Sequence, residues 1–138
     1  MDRRGFLAVA GVAGAALAMG GCSEPPYANV DSAQLKALLD QGVPLYDIRR
    51  LDEWRQTGVV AGSRTLTFVD GSGRLNPDFL ARFTAEVAKD APVALICRTG
   101  NRTQTLAREL AALGYTRVYN VEGGITRWLG DAFPVVRH

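Results

Sequence analysis

One stretch of the chain, residues 91–113, limits the possible folds most, because it joins an apolar run to a helix through a polar loop. The run Val93–Ile96 is short enough for a buried parallel strand, and a turn signal, Ala-Pro, precedes it. Residues 103–113 carry leucines at helical spacing, and Gly114 predicts the end of that helix. Cys97 is therefore expected where a strand gives way to a helix N-terminus.

The surroundings of Cys97 favour chemistry over simple burial. A helix N-terminus offers free N–H groups and the positive end of the helix dipole, so it binds anions. Arg98, Gly100 and Arg102 follow within five residues, and cationic neighbours favour the thiolate form of a cysteine. The alternative is a small core residue at a strand end, but a core cysteine needs neither arginine nor the glycine. We predict a nucleophilic thiolate facing an anion pocket.

Length, charge and the number of histidines and cysteines limit the domain organisation and the kinds of binding site that the chain can have. The 138 residues suffice for one domain with one core. The net charge is only +2, with both signs interspersed, so no nucleic-acid partner is expected. The chain has one histidine, His138, at its C-terminal end. We therefore expect neither a Cys-His dyad nor a metal site. A disulfide between the two cysteines, Cys22 and Cys97, is disfavoured because Cys22 lies in a leader context.

The first residues have the pattern of an export signal. Residues 1–21 combine Arg3-Arg4 with a Gly/Ala-rich apolar stretch, which predicts a signal peptide similar to the twin-arginine type, with Sec export left open. Met-Gly-Gly before Cys22 resembles a bacterial lipoprotein cleavage site. We expect lipidated Cys22 and a linker over 22–29, membrane contact through that lipid only, and a location on the periplasmic side of a bacterial membrane. A plain signal peptide or an uncleaved anchor remains the alternative.

The rest of the chain, 30–138, alternates strands and helices, which predicts an α/β fold with a mostly parallel sheet between two helix layers. Ligands bind such sheets at the carboxyl ends of the strands, where Cys97 is expected. In chain order, the first predicted elements are a helix capped at Asp31 or Ser32, a strand at 43–48, a helical turn at 51–55 and a strand at 64–69. A helix starting at Asn76-Pro77 follows, with Phe79, Leu80, Phe83 and Val87 buried. After the strand and helix around Cys97, the chain is predicted to form a strand at 117–121 and a short helix through Ile125, Trp128 and Leu129.

Three ordered motifs resemble those of single-domain rhodaneses. They are Tyr46-Asp47-Ile48-Arg49 with Glu53-Trp54, then Cys97-Arg98-Thr99-Gly100-Asn101-Arg102, and finally Val121-Glu122-Gly123-Gly124-Ile125 with Trp128. The resemblance implies a rhodanese-like three-layer fold. The family's Gly-His-Ile-Pro-Gly-Ala segment is replaced here by residues 58–63, which lack the histidine and the proline. We expect altered loop packing there, with the chemistry retained.

The resemblance also implies a sulfurtransferase mechanism that needs no cofactor beyond a covalent persulfide on Cys97. The thiolate would take sulfur from a small anionic donor such as thiosulfate, and a thiol, cyanide or protein acceptor would receive it. The loop N–H groups would hold the sulfur, two arginines would bind the donor, and Asp47 and Arg49 would support the loop. The implied substrate-binding residues are Arg98, Thr99, Gly100, Asn101, Arg102 and Thr103.

Two other readings of the same residues stay open. A phosphatase or arsenate reductase on this fold needs five residues between its cysteine and its arginine, whereas four separate Cys97 from Arg102. The shorter loop suits a single sulfur atom better than a phosphate. A binding module that carries or senses sulfur would also retain Cys97 and both arginines, so the sequence does not distinguish it from an enzyme.

Overall fold

A computed structural model describes residues 24–138. The predicted signal peptide, residues 1–21, and the predicted lipidation site, Cys22, lie outside the described residues. Within the described part, no helix is both long enough and apolar enough to cross a membrane.

The predicted α/β architecture is confirmed. The described residues form five parallel strands in the order β1-β5-β4-β2-β3 and five helices. The strands are β1 (Ala28–Val30), β2 (Leu45–Asp47), β3 (Arg64–Thr65), β4 (Val93–Ile96) and β5 (Val118–Val121). The helices are α1 (Ser32–Asp40), α2 (Leu51–Thr57), α3 (Phe79–Glu86), α4 (Asn101–Ala112) and α5 (Gly124–Gly130).

Strand β4 lies at the centre of the sheet, and its side chains are buried in the core on both faces. Its side chains alternate, as the pleat of a strand requires. Val93 and Leu95 join a cluster with α3 and α4 on one face, and Cys97 continues that series. Ala94 and Ile96 join a second cluster with α1 and α5 on the other face. Burial on both faces explains why this strand has no polar residue, and it fixes which side of the sheet Cys97 faces.

The region between β2 and α3 differs from the prediction. The strand expected at 64–69 is regular only at Arg64–Thr65, because the chain turns back on itself at an antiparallel bridge between Val69 and Leu75. The helix expected at Asn76 begins at Phe79 instead. The Asn76 side chain fastens the preceding loop, since its Nδ2 donates to the carbonyl oxygen of Thr67 at 2.9 Å.

Of the four residues that were predicted to be buried along α3, three are buried. Phe79, Phe83 and Val87 are buried, whereas Leu80 is 39 % exposed. The buried positions repeat every four residues, at 79, 83 and 87. Leu80 follows Phe79 directly and therefore lies about 100° around the helix from that row.

Strand β1 was not predicted from the sequence. It pairs in parallel with β5 at the sheet edge, and the pairing aligns Asn29 with Asn120. It occupies part of the segment that the sequence had suggested as linker. Only three residues form it, too few for a periodic pattern to be recognised.

The altered segment at 58–63 packs against the C-terminal strand-like segment. Val59 and Val136 exchange two backbone hydrogen bonds, at 2.9 and 2.8 Å. Gly58 is required here, because a Cβ at this position would lie 2.7 Å from the carbonyl oxygen of Val136. Val59 and Val60 are both buried, so this loop belongs to the core.

Candidate active site

Cys97 follows β4 at the carboxyl end of the sheet, at the position predicted from the sequence. Its side chain is 1 % exposed. The amide N–H of Gly100 donates to its Sγ at 3.1 Å, and the Oγ1 of Thr103 lies 3.5 Å from the same sulfur. Helix α4 begins at Asn101, two residues earlier than predicted. The first-turn amides of α4, which have no acceptor within the helix, therefore lie directly after the cysteine loop.

Backbone amides at the N-terminus of α5 donate hydrogen bonds to carbonyl oxygens of the cysteine loop. The N–H of Ile125 donates to the carbonyl oxygen of Cys97 at 2.9 Å, and the N–H of Thr126 donates to that of Arg98 at 3.1 Å. A Cβ on Gly124 would lie 2.5 Å from both of these oxygens. The third motif thus acts structurally: its glycine lets α5 bind the loop carbonyls.

The two loop arginines lie in different environments. Arg102 forms a bidentate ion pair with Glu53, with both N–O distances at 2.8 Å. Arg98 is exposed. Both line a cleft of about 330 Å³ beside Cys97's loop, together with Arg50, Asp52, Glu53 and Gln56. The charge of Arg102 is therefore already paired with a carboxylate, and binding of the donor by the two arginines stays a prediction.

The pair between Glu53 and Arg102 is strong enough to change the ionisation of Glu53. Burial alone would raise the pKa of Glu53, but hydrogen bonds from Arg102 and from the backbone of Arg50 outweigh it and hold this pKa at about 2. The same hydrogen bond to Glu53 raises the pKa of Arg102. Both groups stay charged near neutral pH, and the pair fixes the start of α4 to α2.

Asp47 and Arg49, which were predicted to support the loop, form an ion pair, with Nη2 2.7 Å from Oδ2 and both side chains fully buried. The Nε1 of Trp54 donates to the Oδ1 of Asp47 at 2.9 Å. Arg49 also donates to Thr57 Oγ1 and to the carbonyl oxygen of Gly58. The pair therefore fastens α2, which carries Glu53, so its support of the cysteine loop is indirect.

Thr99 and Asn101 are exposed beside the cysteine, whereas Gly100 and Thr103 are buried. The structure thus divides the predicted loop residues into a buried set that contacts sulfur and an exposed set at the rim. Gly100 has a φ of 104°, a conformation that side-chain-bearing residues rarely adopt.

Sequence reasoning missed the residues that bind these site residues from elsewhere in the fold. Glu53 pairs with Arg102, and Asn120 contacts Thr103. One signal for Asn120 was available, because an amide inside the buried strand Val118–Val121 needs a hydrogen-bond partner.

Residues 24–138 contain no group of three or more His, Cys, Asp or Glu side chains that could hold a metal ion. A larger groove of about 540 Å³ lies between α2 and the C-terminal segment and is lined by none of the predicted site residues.

Known proteins share this sequence pattern and this fold. The family model described as "Rhodanese-like domain" matches residues 31–131. Thiosulfate sulfurtransferase GlpE of Tolumonas auensis is 38 % identical over 60 residues, which cover 44 % of this chain and 57 % of that protein. Thiosulfate sulfurtransferase 18 of Arabidopsis thaliana is 30 % identical over 112 residues, which cover 78 % of this chain and 82 % of that protein.

A solved structure agrees with these matches. The crystal structure of a rhodanese-related protein from Thermoplasma volcanium superposes with a TM-score of 0.65 at 26 % identity, covering 81 % of this chain and all of that one. The family model covers nearly all of the residues that the structure describes. The chain belongs to the family of rhodanese-like domains.

Proposed function

We propose that the protein is a sulfurtransferase that moves sulfane sulfur from a small anionic donor, such as thiosulfate, to a thiophilic acceptor through a persulfide on Cys97. One observation carries the proposal: the sulfur of a buried cysteine accepts an amide hydrogen bond at 3.1 Å where helix α4 begins. The matches to proteins named thiosulfate sulfurtransferase support the same activity.

The reaction follows from a thiolate at this position. The Cys97 thiolate attacks the outer sulfur of thiosulfate, a new S–S bond forms, and sulfite leaves with the electron pair of the old bond. The resulting persulfide is anionic at its outer sulfur. Amide N–H groups at the start of α4 stabilise such a charge, because they are fixed in place and need no reorganisation during the reaction.

The cleft beside the loop suits an anionic donor. Arg98 is exposed on it, whereas Arg102 is engaged by Glu53. We propose that Arg98 supplies the cation that the donor's oxygens meet first, and that Arg102 keeps the loop in shape. Long-range attraction by such exposed charges raises the rate of encounter with anions.

The size of the loop favours sulfur over phosphate. Four residues separate Cys97 from Arg102, and the guanidinium of Arg102 is bound to Glu53 rather than available for a tetrahedral oxyanion. A phosphatase or arsenate reductase is therefore the weaker candidate. It would hydrolyse a phosphotyrosine analogue and would leave thiosulfate and cyanide unreacted.

The experiment is intact-mass spectrometry before and after incubation with thiosulfate. We expect a gain of one sulfur atom on Cys97 that cyanide removes as thiocyanate. The Cys97→Ser variant should keep the wild-type circular dichroism spectrum and show neither the gain nor turnover. Absence of a sulfur adduct on the wild-type protein, or turnover by Cys97→Ser, would contradict the proposal.

The same measurement distinguishes an enzyme from a sulfur carrier or sensor. An enzyme discharges its persulfide to cyanide or a small thiol and turns over repeatedly. A carrier or sensor loads once and keeps its sulfur in the presence of these small acceptors. We expect repeated turnover, because the cleft that Arg98 lines is large enough for a small acceptor, at about 330 Å³.

We further propose that the leader exports the protein and that a lipid on Cys22 tethers it on the periplasmic side of a bacterial membrane. The support is the sequence pattern of residues 1–22 alone. The test is the mass of the full chain recovered from the membranes of a bacterial host. We expect cleavage before Cys22 and added acyl chains, and release into the soluble fraction for Cys22→Ala. An unprocessed N-terminus would refute the proposal.

A further inference from the structure

A chain of buried polar side chains runs from the sulfur toward the sheet edge. The Oγ1 of Thr103 lies 3.5 Å from the Sγ of Cys97 and is hydrogen-bonded to the Oδ1 of Asn120. The Nδ2 of Asn120 donates to the Oδ1 of Asn29 at 2.9 Å. Thr103 is fully buried and Asn120 is 1 % exposed. The family motifs quoted above explain neither asparagine.

The hydrogen of the Thr103 hydroxyl has a choice of acceptors. A threonine hydroxyl donates only one hydrogen. It lies near the Sγ of Cys97, the Oδ1 of Asn120 and, at 3.1 Å, the carbonyl oxygen of Gly100. The hydrogen can therefore serve only one of them at a time, and rotation about a single bond moves it between them.

Asn120 is held so that its oxygen faces Thr103. Its amide nitrogen is engaged by Asn29, which the parallel pairing of β1 with β5 places directly alongside. The remaining oxygen accepts the Thr103 hydrogen in the resting site, so it competes with the sulfur of Cys97 for that hydrogen.

We propose that the Thr103 hydroxyl, whose hydrogen Asn120 accepts in the resting site, turns and donates that hydrogen to the Sγ of Cys97 when that sulfur becomes the leaving thiolate during sulfur discharge. The inference rests on the proposed sulfurtransferase function. Thr103 contacts the reacting atom and is a catalytic residue in this step. Asn120 acts through Thr103 and is a positioning residue.

The charge on Sγ distinguishes the two half-reactions. During discharge, cyanide attacks the outer sulfur, the S–S bond to Sγ breaks, its electron pair goes to Sγ, and thiocyanate leaves. Sγ begins neutral and ends as an anion, so a donor aimed at it lowers the barrier. During loading Sγ begins as an anion and ends neutral. The same donor then stabilises the starting state and gives no acceleration.

The test compares the two half-reactions in Thr103→Val, which removes the hydroxyl and keeps the shape. Single-turnover discharge of preloaded persulfide to cyanide should slow by about tenfold, as expected for losing a hydrogen bond to a charged group. Loading from thiosulfate should not slow. Thr103→Ser should restore discharge. The matched control is Thr105→Val, because Thr105 is exposed on the same helix and its hydroxyl contacts only the carbonyl oxygen of Asn101.

The outcomes separate this inference from the proposed function. A wild-type protein that takes up no sulfur would overturn both. Normal loading with unchanged discharge in Thr103→Val, or equal slowing of both half-reactions, would overturn the inference alone, because equal slowing indicates only a displaced loop.

Asn120 is tested by its dependence on Thr103. Asn120→Ala should not slow discharge, because the hydroxyl remains and its hydrogen no longer has to leave Asn120. The double variant should be no slower than Thr103→Val alone, since Asn120 has no other route to the sulfur. Losses that multiply in the double variant would show a separate structural effect and overturn the positioning role. Thermal melts of all variants establish that they are folded.

Discussion

Two helices begin at the cysteine loop, and their N-termini are used in opposite ways. Helix α4 follows Gly100 and helix α5 begins at Gly124, and both glycines have a positive φ, 104° and 55°. The first amides of α5 are occupied by the carbonyl oxygens of Cys97 and Arg98. At α4, by contrast, the amide of Gly100 donates to the cysteine sulfur.

The difference shows how one structural feature serves both folding and chemistry. Drawing the loop carbonyls toward α5 fixes the backbone that carries the amides around Cys97. A helix N-terminus binds whatever acceptor reaches it. The site exists because the loop's own oxygens fill one terminus and leave the other for sulfur.

The largest loss of stability and of sulfur uptake should come from Gly124→Ala, which places a side chain between α5 and the cysteine loop. The added Cβ would lie 2.5 Å from two carbonyl oxygens, and the positive φ adds strain. We expect a loss of about 4 kcal/mol in the free energy of unfolding, since overpacking and backbone strain add. Persulfide formation should fall by at least about a hundredfold, because a 1 Å displacement of reacting groups has that effect.

The matched control for Gly124→Ala lies on the same helix. A Cβ on Gly130 would meet no atom within 4 Å, so Gly130→Ala should load sulfur like the wild type. Urea unfolding and the rate of sulfur uptake measure both variants. Wild-type uptake by Gly124→Ala would show that α5 does not shape the loop.

Gly100→Ala separates backbone strain from steric overlap, because it strains the backbone at a positive φ without the close contacts that Gly124→Ala creates. Here the nearest atom to an added Cβ is the amide nitrogen of Gly123, at 3.5 Å, an ordinary contact. Strain at the positive φ alone should lower the free energy of unfolding by about 2 kcal/mol. Sulfur uptake should fall less than in Gly124→Ala. If Gly100→Ala proved the more damaging of the two, crowding at α5 would not be the dominant constraint.

Much of the fold and the centre of the site could be predicted from the sequence, because both depend on local patterns. An apolar run, a glycine-containing loop and a leucine-spaced helix placed Cys97 correctly between β4 and α4. The alternation of strands and helices gave the parallel sheet. Each of these signals is contained within a few turns of chain.

What could not be predicted depends on contacts between distant residues. Arg102 pairs with Glu53, which lies on a helix 49 positions earlier in the chain. Asn29 and Asn120 lie 91 positions apart and meet only because β1 adds to the sheet edge. The local pattern marks Asn120 as a polar residue within a buried strand, but it identifies the partner of neither Asn120 nor Arg102.

The smallest predicted change in stability concerns the ion pair between Glu53 and Arg102, which fixes the start of α4 to α2. The pKa of Glu53 is lowered from 4.5 to about 2 in the folded protein. A lowered carboxyl pKa stabilises the fold above the unfolded value and loses that contribution as pH falls toward the folded value. The pair should therefore stabilise the protein fully near neutral pH and progressively less below about pH 4.5.

Replacing Glu53 by Gln should show this dependence of stability on pH. At pH 6 the variant should be less stable than the wild type by about 1 kcal/mol, because partial exposure of Arg102 reduces what the full pKa shift would give. The difference should shrink as the pH is lowered to 3 in urea unfolding. Glu109→Gln, on the exposed face of α4, controls for loss of a negative charge. A difference between wild type and Glu53→Gln that stayed constant from pH 6 to pH 3 would mean that hydrogen bonding by the Glu53 side chain, rather than its charge, holds the start of α4.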